Sequence, residues 1–196
     1  MPDSLAPEVV EPLLRGRFGR PYRYAKVTPS TQRLLLPDDP EGAVAVAEEQ
    51  TEGRGRLGRS WQAPPRTSVL VSVVLEPAVP PARLPELTLV AGEAVAAAVA
   101  EVAGVAPTIK HPNDVLVAGK KVAGILAESS EGRVVLGIGV NANQAPNELP
   151  AETQTPATSL QVEAGRVIDR ARLLAAVLLE LERGYNEWVS RTGSSG

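Results

Sequence analysis

Cysteine is absent from this sequence, and His111 is its only histidine. Disulfide staples, thiolate metal centres and cysteine nucleophiles are therefore excluded, and neither a histidine metal triad nor a Ser-His-Asp arrangement has enough parts. Long apolar runs are missing too. The most apolar helical stretch, Ala94 to Ala100, is bracketed by Glu93 and Glu101 and is far too short to span a bilayer. The opening Met-Pro-Asp-Ser has neither a basic nor an apolar signal region, so no export, no membrane partner and a cytoplasmic location are expected. Basic excess is lacking as well: the net charge is −3, which argues against a nucleic-acid partner. Lysine is scarce, with four (Lys26, Lys110, Lys120, Lys121) against sixteen arginines. Where arginine is the usual cation, a retained lysine marks a place that suits a compact point charge.

Two nucleotide-binding signatures also fail. Gly119-Lys120 has neither the upstream glycine nor the Ser/Thr of a phosphate loop. Gly137-Ile138-Gly139-Val140-Asn141-Ala142 matches the dinucleotide pattern in letters, but Asn143, Pro146, Asn147 and Pro150 follow where a helix would have to open. What survives is a glycine-rich strand end that permits close approach to the backbone. The chemistry left to such a chain is activation of an electrophile by cations, with Mg²⁺ carried mainly on nucleotide phosphates.

What is present is a soluble-protein composition, 43% hydrophobic over 196 residues, enough for one domain with a proper core. Its most distinctive run is Gly53-Arg54-Gly55-Arg56-Leu57-Gly58-Arg59-Ser60-Trp61. The glycines allow close backbone approach, the arginines offer planar forks to carboxylate or phosphate, and Trp61 adds a flat apolar face. A run so charged and glycine-rich reads as a mobile lid that orders around a small anion. The competing readings are a solvated turn and a nucleic-acid tether. A second cluster, Lys110-His111-Pro112-Asn113-Asp114, gathers a cation, an amide and a carboxylate around a proline turn.

Residues 1 to 20 carry no period and read as a loose arm. A short helix is expected from an N-cap at Ser30 or Thr31 through Leu36, stopped by Pro37. Strands are expected at 44–50 and 67–75, then a helix at 86–103 closed by Gly104. Three short strands follow near 107–111, 114–118 and 121–128, the last two joined by a tight turn at Ala118-Gly119, and then a strand at 133–140. A final helix near 168–190 sets Leu174, Leu178, Leu181, Tyr185 and Trp188 in one apolar stripe. The fold class is α+β: a mixed, mainly antiparallel central sheet covered by helices.

From about Tyr24 to Trp188 these segments resemble the catalytic domain of biotin–protein ligases (biotin–[acetyl-CoA-carboxylase] ligases, or holocarboxylase synthetases). The resemblance rests on Ser30-Thr31-Gln32, Gln50, the 53–61 loop, the Lys110 turn, Lys121-Val122-Ala123-Gly124-Ile125-Leu126 and Gly137-Ile138-Gly139-Val140-Asn141. It implies an enzyme that makes biotinyl-5′-AMP from biotin and MgATP and passes biotin to one lysine of a biotin carboxyl carrier protein. It further implies a biotin site of Ser30, Thr31, Gln32, Gln50, Gly53, Arg54, Arg56, Trp61, Lys110, Gly124, Ile125, Leu126, Gly137 and Gly139, with Trp61 and Ile125 walling the rings. ATP would meet Arg56, Arg59, Ser60, Trp61, Asn113, Asp114, Lys121 and Asn141, with Asp114 beside the metal. Lys110, Arg54 and Arg56 would be catalytic, Lys110 between biotin carboxylate and α-phosphate, where it offsets the repulsion of two anions. A water-excluding lid suits a product that hydrolyses readily.

Three departures from the family pattern stand out. His111 replaces a usual Trp and is expected to form a neutral pocket wall. Gln32 replaces a usual Asn. The layout is expected to be an arm at 1–23, the catalytic domain at 24–190 and a flexible tail at 191–196, without an N-terminal DNA-binding domain or a C-terminal small β-barrel. A monomer or homodimer is expected. The alternatives are a lipoate-type acyl-adenylating ligase and a biotin-binding sensor without turnover.

Overall fold

A computed structural model of the chain describes residues 3–151 and 154–193; residues 1–2 of the arm and 194–196 of the expected tail lie outside the described residues. Seven strands form one sheet: β1 (Tyr22–Thr28), β2 (Val44–Gln50), β3 (Ser68–Leu75), β4 (Pro107–Lys110), β5 (Asp114–Val117), β6 (Lys120–Ser130) and β7 (Arg133–Asn141). They lie in the order β1-β2-β3-β7-β6-β5-β4. Only the β1–β2 pair is parallel; the other neighbours run antiparallel. The expected mixed, mainly antiparallel sheet is therefore the one observed. Local chemistry explains its hairpins. Ala118-Gly119 and Glu131-Gly132 hold positive φ at both turn centres (49° and 74°, 52° and 84°), the geometry that matches strand twist.

Strand alternation divides the sheet into two unlike faces. Val69, Val71, Val73 and Leu75 of β3 and Val134, Leu136, Ile138 and Val140 of β7 join the apolar core. That core is completed by α2 (Leu87–Ala103) and α4 (Arg170–Gly193), which pack against each other and the sheet. Burial of each such Leu or Val contributes about 1.5–3 kcal/mol before the entropy of ordering is subtracted. The intervening positions Leu70, Ser72, Gly137 and Gly139 face the other way, into a pocket. Small residues there are what open the concavity.

Five features differ from expectation. The helix near residue 30 is a single 3₁₀ turn, Thr31–Leu34, and Ser30 makes no side-chain cap. Strand β1 and the short α3 (Leu160–Ala164), capped by Ser159, were not anticipated. Residues 191–193 belong to α4 rather than to a flexible tail, with Thr192 Oγ1 donating to the Trp188 carbonyl at 2.8 Å. Most notably, the N-terminal arm is packed. It forms α1 (Pro7–Val10) and a 3₁₀ turn, and buries Leu5, Val10 and Phe18 completely or nearly so.

The arm is held by charge as well as by apolar area. Arg170, fully buried, donates to Asp3 Oδ1 at 2.9 Å, to Glu48 Oε2 at 2.8 Å and to the Ser68 carbonyl at 3.0 Å. Glu48 in turn accepts the Leu5 backbone N–H at 2.8 Å. One cation thereby ties arm, β2, β3 and α4 together.

Candidate active site

The pocket lies on the open face of the sheet and is partly open to solvent. Its inner end is built where β1 hands over to the 3₁₀ turn. Thr31 donates through its backbone N–H (2.7 Å) and hydroxyl (3.1 Å) to Gln50 Oε1, and its hydroxyl lies 2.7 Å from the Ser72 hydroxyl. These bonds fix side chains from three elements in a buried polar floor. Ser30 and Gln32 flank Thr31 along the pocket wall.

Trp61 roofs the cavity. Gly124 and Gly139 are directly opposed across β6 and β7. A Cβ on Gly139 would lie 2.6 Å from the indole Cε2, and one on Gly124 would lie 3.0 Å from Cζ3. The two glycines thus form a seat on which the indole lies against bare backbone. The close approach expected at this strand end is made by Trp61 itself, and Lys121 Nζ sits 5.8 Å from the ring centroid, within cation–π range. Indole Nε1 and Gln32 Nε2 are both buried without an acceptor. Leaving a donor in that state costs about 1–3 kcal/mol, so an acceptor arriving in the pocket recovers energy the protein alone cannot.

The 53–61 loop, expected to be mobile, folds back as a small hairpin over the pocket. The Trp61 and Gly55 backbone N–H groups donate to the carbonyls of Gly53 (2.8 Å) and Arg59 (2.7 Å). Gly53 does not line the cavity; it is required because a side chain there would strike the Trp61 carbonyl. Leu57, at φ 58°, turns the tip and is exposed. Two arginines pin the hairpin. Arg54 donates to Gln32 Oε1 and, at 2.6 Å, to Glu128 Oε2. Arg56 donates at 3.1 Å to Asn113 Oδ1, and Asn113 Nδ2 reaches the Ile125 carbonyl at 3.1 Å.

Of the expected site residues, Ser30, Thr31, Gln32, Gln50, Arg54, Arg56, Trp61, Asn113, Lys121, Gly124, Ile125, Leu126, Gly137 and Gly139 converge on this cavity. Others lie elsewhere in this structure. Lys110 lies outside the lining, exposed on edge strand β4, with Nζ donating to Thr155 Oγ1 at 2.6 Å. His111 is exposed and lines no part of the pocket, so it forms no wall there. The Ile125 side chain joins the core below α2, because period-two alternation sends its neighbours Gly124 and Leu126 to the pocket face. Arg59 and Ser60 are exposed hairpin residues. Asn141 is buried with both ends engaged, donating to the Thr158 carbonyl (3.1 Å) and accepting from Gln144 (3.0 Å), which anchors the segment after β7. Asp114 also lies outside the lining, ion-paired to Lys121 at 2.7 Å. Leu70, Val71, Ser72 and Ile138 were not anticipated in the lining. Only Ser72 carried a signal, as a serine inside an otherwise aliphatic strand.

Metal binding has little support from the protein alone. No three His, Asp or Glu side chains converge among the described residues, and Asp114 is already engaged by Lys121. A Mg²⁺ ion needs about six oxygens. The described residues build no such cage.

Comparison with known proteins agrees with this arrangement. The Biotin/lipoate A/B protein ligase family matches residues 24–144. The bifunctional ligase/repressor BirA of Bacillus subtilis is 41% identical over 182 residues, covering 88% of this chain and 56% of that protein. The biotin–[acetyl-CoA-carboxylase] ligase of Mycobacterium tuberculosis is 40% identical over 201 residues, covering 95% of this chain and 74% of its own. Among solved structures, the biotin protein ligase from Aquifex aeolicus in complex with biotin and ATP superimposes with a TM-score of 0.78 at 35% identity, over 86% of this chain and 72% of that one. The chain thus spans about half the length of the BirA relatives it matches. Matched by family model over residues 24–144, by sequence and by fold, the chain is a member of the biotin/lipoate A/B protein ligase family.

Proposed function

We propose that this chain is the catalytic unit of a biotin–protein ligase. Biotin carboxylate attacks the α-phosphorus of MgATP and pyrophosphate leaves. The ε-amine of a lysine on a biotin carboxyl carrier protein then attacks the acyl carbon, AMP departs, and the amine proton passes to solvent. The observation that carries this reading is a single cavity with a buried polar floor, two donors awaiting acceptors, an aromatic roof, and Arg54, Arg56 and Lys121 on its lining. A ligand with an uncharged polar head and an anionic tail suits that polarity.

Within this reading the central cation is Lys121 rather than Lys110. Lys121 lines the pocket, touches the roof and is aligned by Asp114, whereas Lys110 points to Thr155. Lys121 and the two arginines reduce the repulsion between carboxylate and phosphate and stabilise charge developing at phosphorus. Asn113 and Arg56 border the side where a nucleotide would enter. The hairpin and Trp61 shield the adenylate from water. No helix among the described residues is long and apolar enough to cross a membrane, in keeping with a cytoplasmic carrier substrate.

ATP–pyrophosphate exchange tests the proposal. Exchange that depends on biotin and is absent with lipoate is expected. Equal exchange with lipoate supports the lipoate-type alternative, and tight biotin binding without exchange supports a sensor.

A further inference from the structure

Glu128 belongs to none of the sites assigned above, yet it grips the hairpin's leading arginine. It lies on β6 two residues beyond Leu126, on the pocket face, paired in register with Val135 of β7. Its backbone is thus fixed by the sheet, and the hairpin comes to it. Arg54 Nη2 donates to Glu128 Oε2 at 2.6 Å and, from the same nitrogen, to Gln32 Oε1. Both partners are about half exposed, at 52% and 44%, so the pair sits at the pocket rim.

We propose that Glu128 is a positioning residue that sets how strongly Arg54 favours an anionic ligand, by offering the guanidinium a resident carboxylate that the ligand's own anion must displace. This rests on the biotin reading above. An incoming carboxylate that reaches Arg54 meets Glu128 at the same donor. Two carboxylates sharing one guanidinium repel, so the ligand gains from Arg54 only what exceeds the Glu128 contact. A neutral ligand of the same shape leaves the Arg54–Glu128 pair intact and is indifferent to it. Glu128 therefore lowers the affinity for the free acid selectively. It also keeps Arg54 extended across the pocket mouth, where Gln32 completes the clamp.

The test is calorimetric titration of Glu128→Gln and wild type with biotin and with its alcohol analogue, in which CH₂OH replaces the carboxylate. Glu128→Gln is expected to bind biotin about two- to fivefold more tightly, the scale of a half-exposed ion pair, and to bind the alcohol as wild type does. In an Arg54→Ala background the same substitution is expected to change neither affinity. A shift of equal size for both ligands, weaker biotin binding, or an effect that persists without Arg54 overturns the proposal while leaving biotin binding established. A wild type that binds neither ligand overturns the functional reading, and the role of Glu128 with it.

Discussion

Two lysines eleven residues apart carry different weight at the scale of single residues. A window holding three of the chain's four lysines announces a site, but sequence spacing does not say which ammonium reaches it. The hairpins decide: Lys110 ends edge strand β4, whereas Lys121 is the second residue of β6, beside Trp61 and Asp114. Lys121→Ala is expected to lower adenylation by about 10²–10³-fold, the usual size for removing one preorganised donor to a developing anion. Lys110→Ala is expected to cost about tenfold at most, the scale of one hydrogen bond. Exchange rates for the two variants check this, and the reverse ranking would contradict it. Gly139 supplies a second test. Adding a methyl to it as Ala should lift the indole from its seat and cost about 1–3 kcal/mol of biotin affinity, as overpacking does. Trp61 emission should shift with it while buried Trp188 stays constant; unchanged emission and affinity would show that the seat is not needed. The glycines were legible as a place of close approach. That the approaching group is Trp61 was not, because only the sheet register opposes Gly124 to Gly139.

Elements with a strong period were legible: α2, α4, the β5–β6 and β6–β7 hairpins and the aliphatic β3 all lie within a few residues of their expected bounds. Strand β1 was not, because Tyr-Arg-Tyr-Ala-Lys-Val-Thr on a sheet edge buries little and shows no clean alternation. The turn that carries Ser30, Thr31 and Gln32 is likewise too short to have a period. The segment just after it is closed onto β1 by Asp39, only 3% exposed, which accepts from Arg23 at 2.6 and 2.7 Å and from the Leu36 N–H at 2.7 Å. The Arg23 hydrogen bonds, set against desolvation and helped by the Leu36 N–H, hold the Asp39 carboxyl below the usual carboxylate range. A carboxylate depressed on folding adds stability that is complete above its unfolded value and is lost as pH falls through its folded one. Asp39→Asn is therefore expected to lower the thermal midpoint at neutral pH, with the gap to wild type closing as pH falls below the ordinary aspartate range. Thermal melts across acidic pH read this directly, and a gap that stays constant would contradict it.

For the whole molecule, the arm shows what composition hides. Leu5, Val10, Leu14 and Phe18 are too widely and irregularly spaced to announce an element, yet all are buried. Their docking depends on Arg170, whose partners Asp3 and Glu48 are remote in sequence and could not be paired from it. Arg170→Met removes the cation paired with Glu48 in a site with almost no solvent, and is expected to cost about 3–5 kcal/mol of stability, with the arm becoming protease-sensitive. Denaturant unfolding measures the loss; a change below about 1 kcal/mol would show that the network is incidental. One sheet face is proposed to bring biotin carboxylate and the α-phosphate together beneath Trp61, and mass spectrometry of the purified chain after incubation with biotin and MgATP tests this. The expected result is biotinyl-5′-AMP retained on wild-type protein and lost in Lys121→Ala. Biotin and ATP recovered unreacted from the wild type, or an adenylate retained equally by Lys121→Ala, would contradict it.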